Sequence, residues 1–135
     1  ILIPGFLEMR GNISGSLASR ISSGLFLGVV HPETKRVIRG NLVASFFLAA
    51  CVSLTLGVLA FLFNYVLLGV LTPSIIVIAL VAGFFANAIE IPLTLAVTFY
   101  LFRHGHDPNN VIGPFVTATG DVVSIFALLL AVVLI

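Results

Sequence analysis

Two carboxylates occupy positions where a carboxylate is expensive. Asp121 is the eleventh residue of the apolar run Val111–Ile135, and Glu90 lies near the middle of Ser74–Phe102. An ionised group at the centre of a bilayer costs about 2.5–3.5 kcal/mol on insertion scales, so such groups face a partner or a water-filled path. Both have polar company at helical spacing. Pro114, Thr117 and Ser124 share a helix face with Asp121, and Gly120 beside it admits a close neighbour. Asn87, Thr94 and Thr98 form a second stripe around Glu90. Pro92 there removes a backbone donor and leaves a carbonyl near residue 88 without its helical partner. Asn12, Ser16, Ser19 and Ser23 make a third stripe near the N-terminus. Carboxylate, carbonyl and hydroxyl oxygens are hard ligands that suit Mg²⁺ and related ions. Mg²⁺ gives up water reluctantly and is commonly held by one or two carboxylates with several waters retained. A single Asp per subunit fits that chemistry best when two subunits supply one each across a symmetry axis.

Each feature also has a plainer reading. Asp121 as a buried strut paired with Arg10 or Arg20 needs no ion, and Glu90 as a protonated, hydrogen-bonded packing group needs none either. Arg10 and Arg20 read as structural or pore-mouth charges, because cations repel cations. His104 and His106 fall in a polar loop and His31 in another, where histidines are usually incidental to metal binding. Cys51 has no second cysteine to pair with and reads as an inert core thiol. There is no nucleotide-binding loop, paired-cysteine or His-Glu-x-x-His pattern, and no basic groove with aromatics. Neither an enzyme nor a nucleic-acid binder is expected.

The elements that carry these residues follow from composition. Of 135 residues, 60% are apolar and 8% charged, and the mean hydropathy is +1.27. A soluble domain carries about 25% charged residues. No small soluble fold could hide this much apolar surface, and lipid is the solvent that removes the difficulty. From Asn41 to Ile89 there is no charged side chain. Roughly 20 apolar residues make a span, and the segments 42–70, 74–102 and 111–135 each qualify. Residues 1–30 are less apolar, holding Glu8, Arg10 and Arg20 among many Gly, Ala and Ser. Small residues let helices approach closely in membranes, so this segment is read as a fourth helix, packed inside the bundle or lining a polar path. A surface-lying or re-entrant segment is the alternative. The expected fold is an all-α, polytopic membrane bundle forming a single domain over 1–135. Tyr65 and Tyr100 are candidate interface anchors. Lys35, Arg36, Arg39 and Arg103 lie on one side, which the positive-inside rule makes cytoplasmic. Loops 31–41 and 103–110 are then cytoplasmic in a cell membrane, with the C-terminus outside. The chain starts at Ile1 rather than Met and is expected to begin partway through a longer product.

Two motifs carry a family resemblance. Pro4-Gly-Phe-Leu-Glu-Met-Arg-Gly-Asn12-Ile-Ser-Gly-Ser-Leu-Ala-Ser19-Arg20-Ile-Ser-Ser resembles the Gly-Asn signature of the MgtE magnesium transporters, in the form found in their animal solute-carrier relatives. Asp107-Pro108-Asn109-Asn110-Val-Ile-Gly-Pro114-Phe-Val-Thr117-Ala-Thr-Gly-Asp121 resembles their second signature: an Asp-Pro turn, a Pro-containing helix start and an intramembrane Asp. The resemblance implies an MgtE-like transmembrane domain in which this chain supplies helices two to five of five, the first lying upstream. It implies a homodimer with the pore between subunits. Asp121 then holds hydrated Mg²⁺, the transported substrate, with the Thr117 carbonyl as a further ligand. Gly11 and Asn12 sit on the neighbouring pore-lining helix, joined as lining or gating candidates by Ser16, Ser19, Pro114, Gly120, Ser124 and Glu90. Glu90 is outside the family pattern and is a candidate for ion coupling. A carrier for Co²⁺ or Ca²⁺, a Na⁺-coupled exchanger and a non-transporting packing subunit are the other readings.

Overall fold

The computed structural model describes residues 2–135, and the described chain is helical throughout, with no strand. Its elements are α1 (Leu2–Phe26), α2 (Lys35–Leu68), α3 (Ser74–Arg103) and α4 (Pro108–Leu134). α2, α3 and α4 are each long and apolar enough to cross a membrane.

The helix ends follow local chemistry. Gly69 ends α2 in the left-handed conformation, φ 67°, and its N–H donates to the Tyr65 carbonyl at 2.9 Å. Asp107 caps α4 by accepting from the Asn109 N–H at 3.0 Å, with Pro108 in the first helical turn. α4 therefore begins at Pro108, ahead of the expected Val111. Likewise α2 starts at Lys35 and not Leu42, so the basic residues of the expected 31–41 loop lie on its first turns. Hydropathy marks only the stretch suited to hydrocarbon, whereas backbone hydrogen bonding continues the helix into the headgroup region.

The helices run alternately up and down. Met9 lies against Ser53 and Arg20 against Ser45, so α1 and α2 are antiparallel. Arg10 meets Glu90 and Phe26 meets Phe102 edge to face, so α1 and α3 are parallel. Among the described residues α2 and α4 do not touch; α1 and α3 pack on each other and on both flanking helices. The least apolar helix thus takes a central place. It does so with Phe6, Met9, Ile13, Leu17, Ile21 and Leu25, which recur at three- and four-residue spacing and are all buried. Glycine permits a close backbone approach between α2 and α3: a Cβ on Gly57 would lie 2.9 Å from Ile76 Cα. Cys51 is not in the core. It is exposed on α2, on the side away from buried Ala49, Ser53 and Gly57, where hydrocarbon accepts a thiol as readily as a protein interior does.

Candidate functional site: a charge cluster and an open polar face

Arg10 is the centre of the site. It projects from α1 into the space between α3 and α4 and is fully buried. Nη1 lies 3.2 Å from Glu90 Oε2 on α3, and Nη2 lies 3.3 Å from Asp121 Oδ1 on α4. Nε donates to the Ser124 hydroxyl, and Nη1 donates to the Val116 carbonyl at 3.4 Å. The guanidinium fork thus meets two carboxylates, a hydroxyl and a backbone oxygen, which is what a buried cation requires. Gly120 makes the space. A Cβ there would overlap the guanidinium carbon and both terminal nitrogens of Arg10.

The two carboxylates differ in access. The Glu90 side chain is 0% exposed, whereas that of Asp121 is 45% exposed. Asp121 opens onto a cleft of about 280 Å³ that it shares with Glu8, Arg10, Gly11, Asn12 and Thr117. Asn12 Nδ2 donates to Glu8 Oε1 at 3.4 Å across the cleft edge. The Thr117 hydroxyl donates to the Gly113 carbonyl at 2.9 Å, so it is committed within its own helix.

The site residues read from the sequence separate into two sets. Asn12, Ser16, Ser19, Pro114 and Thr117 are exposed, and Gly11 and Asp121 are half-buried, all on the outer face of α1 and α4. Glu90, Gly120 and Ser124 are inside the protomer, gathered around Arg10 rather than on that open face. Ser124 shares a helix face with Asp121 only loosely, and the difference in angle is enough to turn it inward. The stripe around Glu90 points the same way: Asn87, Thr94 and Thr98 are fully buried. Asn87 and Thr98 donate to carbonyls of their own helix, at 2.7 Å each, while neither Glu90 oxygen has a hydrogen-bond partner among the described residues.

Two residues were undervalued by sequence reasoning. Arg10, read as a structural or pore-mouth charge and as one of two candidate partners for Asp121, organises the whole cluster. Its helical register with Ser14, Leu17 and Ile21, all buried, was the available signal. Glu8 lies one turn before Asn12 and belongs to the same outer stripe. Arg20 does not reach Asp121; it donates to the Ser45 hydroxyl of α2 at 3.1 Å. His104 donates from Nδ1 to the Tyr100 carbonyl at 2.8 Å and its ring lies against that of Tyr100. Among the described residues no three His, Cys, Asp or Glu side chains gather as a metal-binding group.

Long apolar helices around a buried charge cluster define a multi-pass helical membrane protein. The family model for MgtE, described as a divalent cation transporter, matches residues 3–131, and the chain belongs to this family. It is similar to solute carrier family 41 member 2 of Mus musculus and of Homo sapiens, at 26% identity over 131 residues in each case. The Gallus gallus protein of the same name is 25% identical over 131 residues. These alignments cover 93% of this chain and 23% of each relative, so the chain spans about a quarter of the length of the curated relatives it matches. No solved structure matches.

Proposed function

We propose that the protein carries divalent cations across the membrane, Mg²⁺ foremost, along a path formed where two copies meet. The observation that carries this reading is the outer face of α1 and α4. Glu8, Asn12, Ser16, Ser19 and Thr117 are exposed there beside half-open Asp121, while the exposed residues of α4 beyond Asp121 are apolar. Lipid cannot hydrogen-bond such a row, so it is covered by protein or wetted by water. A two-fold axis along it does both.

The charges fit a dication. Glu90, Asp121 and Arg10 sum to one negative charge per protomer and Glu8 at the cleft adds another, so the path between two copies is net negative. Asp121 faces the hydrated ion chiefly through its waters, since Mg²⁺ keeps most of its shell. The Thr117 carbonyl, one turn earlier, has a second lone pair to offer. Lys35, Arg36, Arg39 and Arg103 orient the chain with its 31–41 and 103–110 segments in the cytoplasm.

The test is flux into liposomes loaded with a Mg²⁺-sensitive dye, comparing wild type with Asp121→Ala and Asp121→Asn. Both substitutions are expected to reduce uptake at least tenfold, about the effect of removing a charge–charge contact worth 1.4 kcal/mol. Uptake that survives both removes Asp121 from the path. A well-folded wild type without uptake favours the packing-subunit reading, which the Arg10–Asp121 ion pair also accommodates. Competition by Co²⁺ and Ca²⁺, with and without a Na⁺ gradient, ranks the other cations.

A further inference from the structure

Arg10 holds two carboxylates of different character. Asp121 reaches the cleft, and Glu90 is sealed inside with no other cation in contact among the described residues. A dication arriving at Asp121 meets a guanidinium already 3.3 Å from that carboxylate. Two cations cannot share it without strong repulsion. Arg10 borders the cleft but has no exposed surface of its own, and its head lies between α3 and α4. Among the described residues it has one charged alternative, Glu90 at 3.2 Å, neither of whose oxygens has a hydrogen-bond partner. Gly120 presents no side chain along the line between the two carboxylates.

We propose that Arg10 is a tethered counter-cation displaced by the cargo: it neutralises Asp121 when the path is empty and is retained by Glu90 when a divalent cation takes Asp121. The inference rests on the reading of Asp121 as the cation's carboxylate and adds a rule for its occupancy. Glu90 becomes a positioning residue that never touches the ion. It holds the displaced guanidinium, so the cargo does not have to leave a buried cation unpaired. The Ser124 hydroxyl and Val116 carbonyl keep the head oriented during the exchange without adding charge.

The two halves of the device act on cation affinity with opposite sign. In Glu90→Gln the guanidinium has only Asp121 left, and the cargo competes against it in full. In the double variant Arg10→Met/Glu90→Met the internal ion pair is replaced by apolar side chains of similar length, a change buried pairs commonly tolerate, and Asp121 stands uncontested. The experiment measures initial Mg²⁺ uptake against Mg²⁺ concentration in liposomes, together with Mg²⁺-dependent protection from thermal unfolding in detergent, which needs no flux. Half-saturation is expected to rise in Glu90→Gln and fall in the double variant, each by about tenfold or more, the usual effect of a neighbouring cation on a carboxylate.

Shifts in the same direction, or unchanged half-saturation with only less folded protein, make the triad a strut and overturn the proposal. If Glu90→Gln does not fold, the double variant decides alone: half-saturation that stays or rises overturns it. A wild type that neither carries nor is protected by Mg²⁺ fails earlier, and removes the transport reading itself.

Discussion

Replacing Gly120 by alanine adds one methyl group at the most crowded point of the molecule. That carbon would overlap the guanidinium carbon and both terminal nitrogens of Arg10. A long side chain usually swings aside, but this one is held by Glu90, Asp121, Ser124 and the Val116 carbonyl. Two responses are open. α4 can back away, at the usual overpacking cost of about 1–3 kcal/mol. Alternatively Arg10 can leave its partners, at about 3–5 kcal/mol for an uncoupled buried pair. The first is cheaper, and overlap with three atoms puts it near the top of its range. Alanine recovers about 1 kcal/mol over glycine in a helix, so the net loss is about 2 kcal/mol. Equilibrium unfolding in mixed micelles measures it. Gly40→Ala is the control: nothing lies within 4 Å of its Cβ position, and the substitution is expected to be neutral or mildly stabilising. In the Arg10→Met/Glu90→Met background the flexible Met leaves space, and Gly120→Ala should cost little. If Gly120→Ala is as benign as the control, or costs the same in both backgrounds, the guanidinium does not cross α4 where the structure puts it.

Two further outcomes test other parts of the architecture. Gly57→Ala is expected to destabilise by up to about 2 kcal/mol, the overpacking cost of about 1–3 kcal/mol less about 1 kcal/mol for alanine in a helix, because its Cβ would sit 2.9 Å from backbone Ile76 Cα, which has no rotamer to change; a stabilised variant in the same unfolding assay refutes the close α2–α3 contact. With Cys51 changed to Ser, Ser16→Cys on the polar face should crosslink between copies in membranes and Phe47→Cys on the outer side of α2 should not; the reverse pattern moves the dimer axis away from α1.

Fold class and the three apolar spans were legible because a bilayer imposes a simple demand. Backbone groups must be satisfied internally and side chains must be apolar over a span, so 42–70, 74–102 and 111–135 announced themselves. The helix at residues 1–30 was harder. Its charged and small residues lower hydropathy, and their burial depends on three other helices that no local window contains. The two motifs, by contrast, were local strings, and they led directly to the family that the match over residues 3–131 establishes.

Sequence by itself determined that Asp121 and Glu90 are misplaced charges in need of company and that each has a polar stripe. The tertiary structure decided who the company is. Helical spacing relates residues on one element and is silent about rotation between elements. Whether Glu90 meets the path or the interior depends on how α3 is turned against α1, a matter of packing across 80 residues of chain from Arg10 to Glu90. For the same reason Arg10, 111 residues from Asp121, emerged as its partner in place of Arg20. The long-range contact is set where side chains interlock, and the missing Cβ of Gly120 is the physical feature that lets this one form.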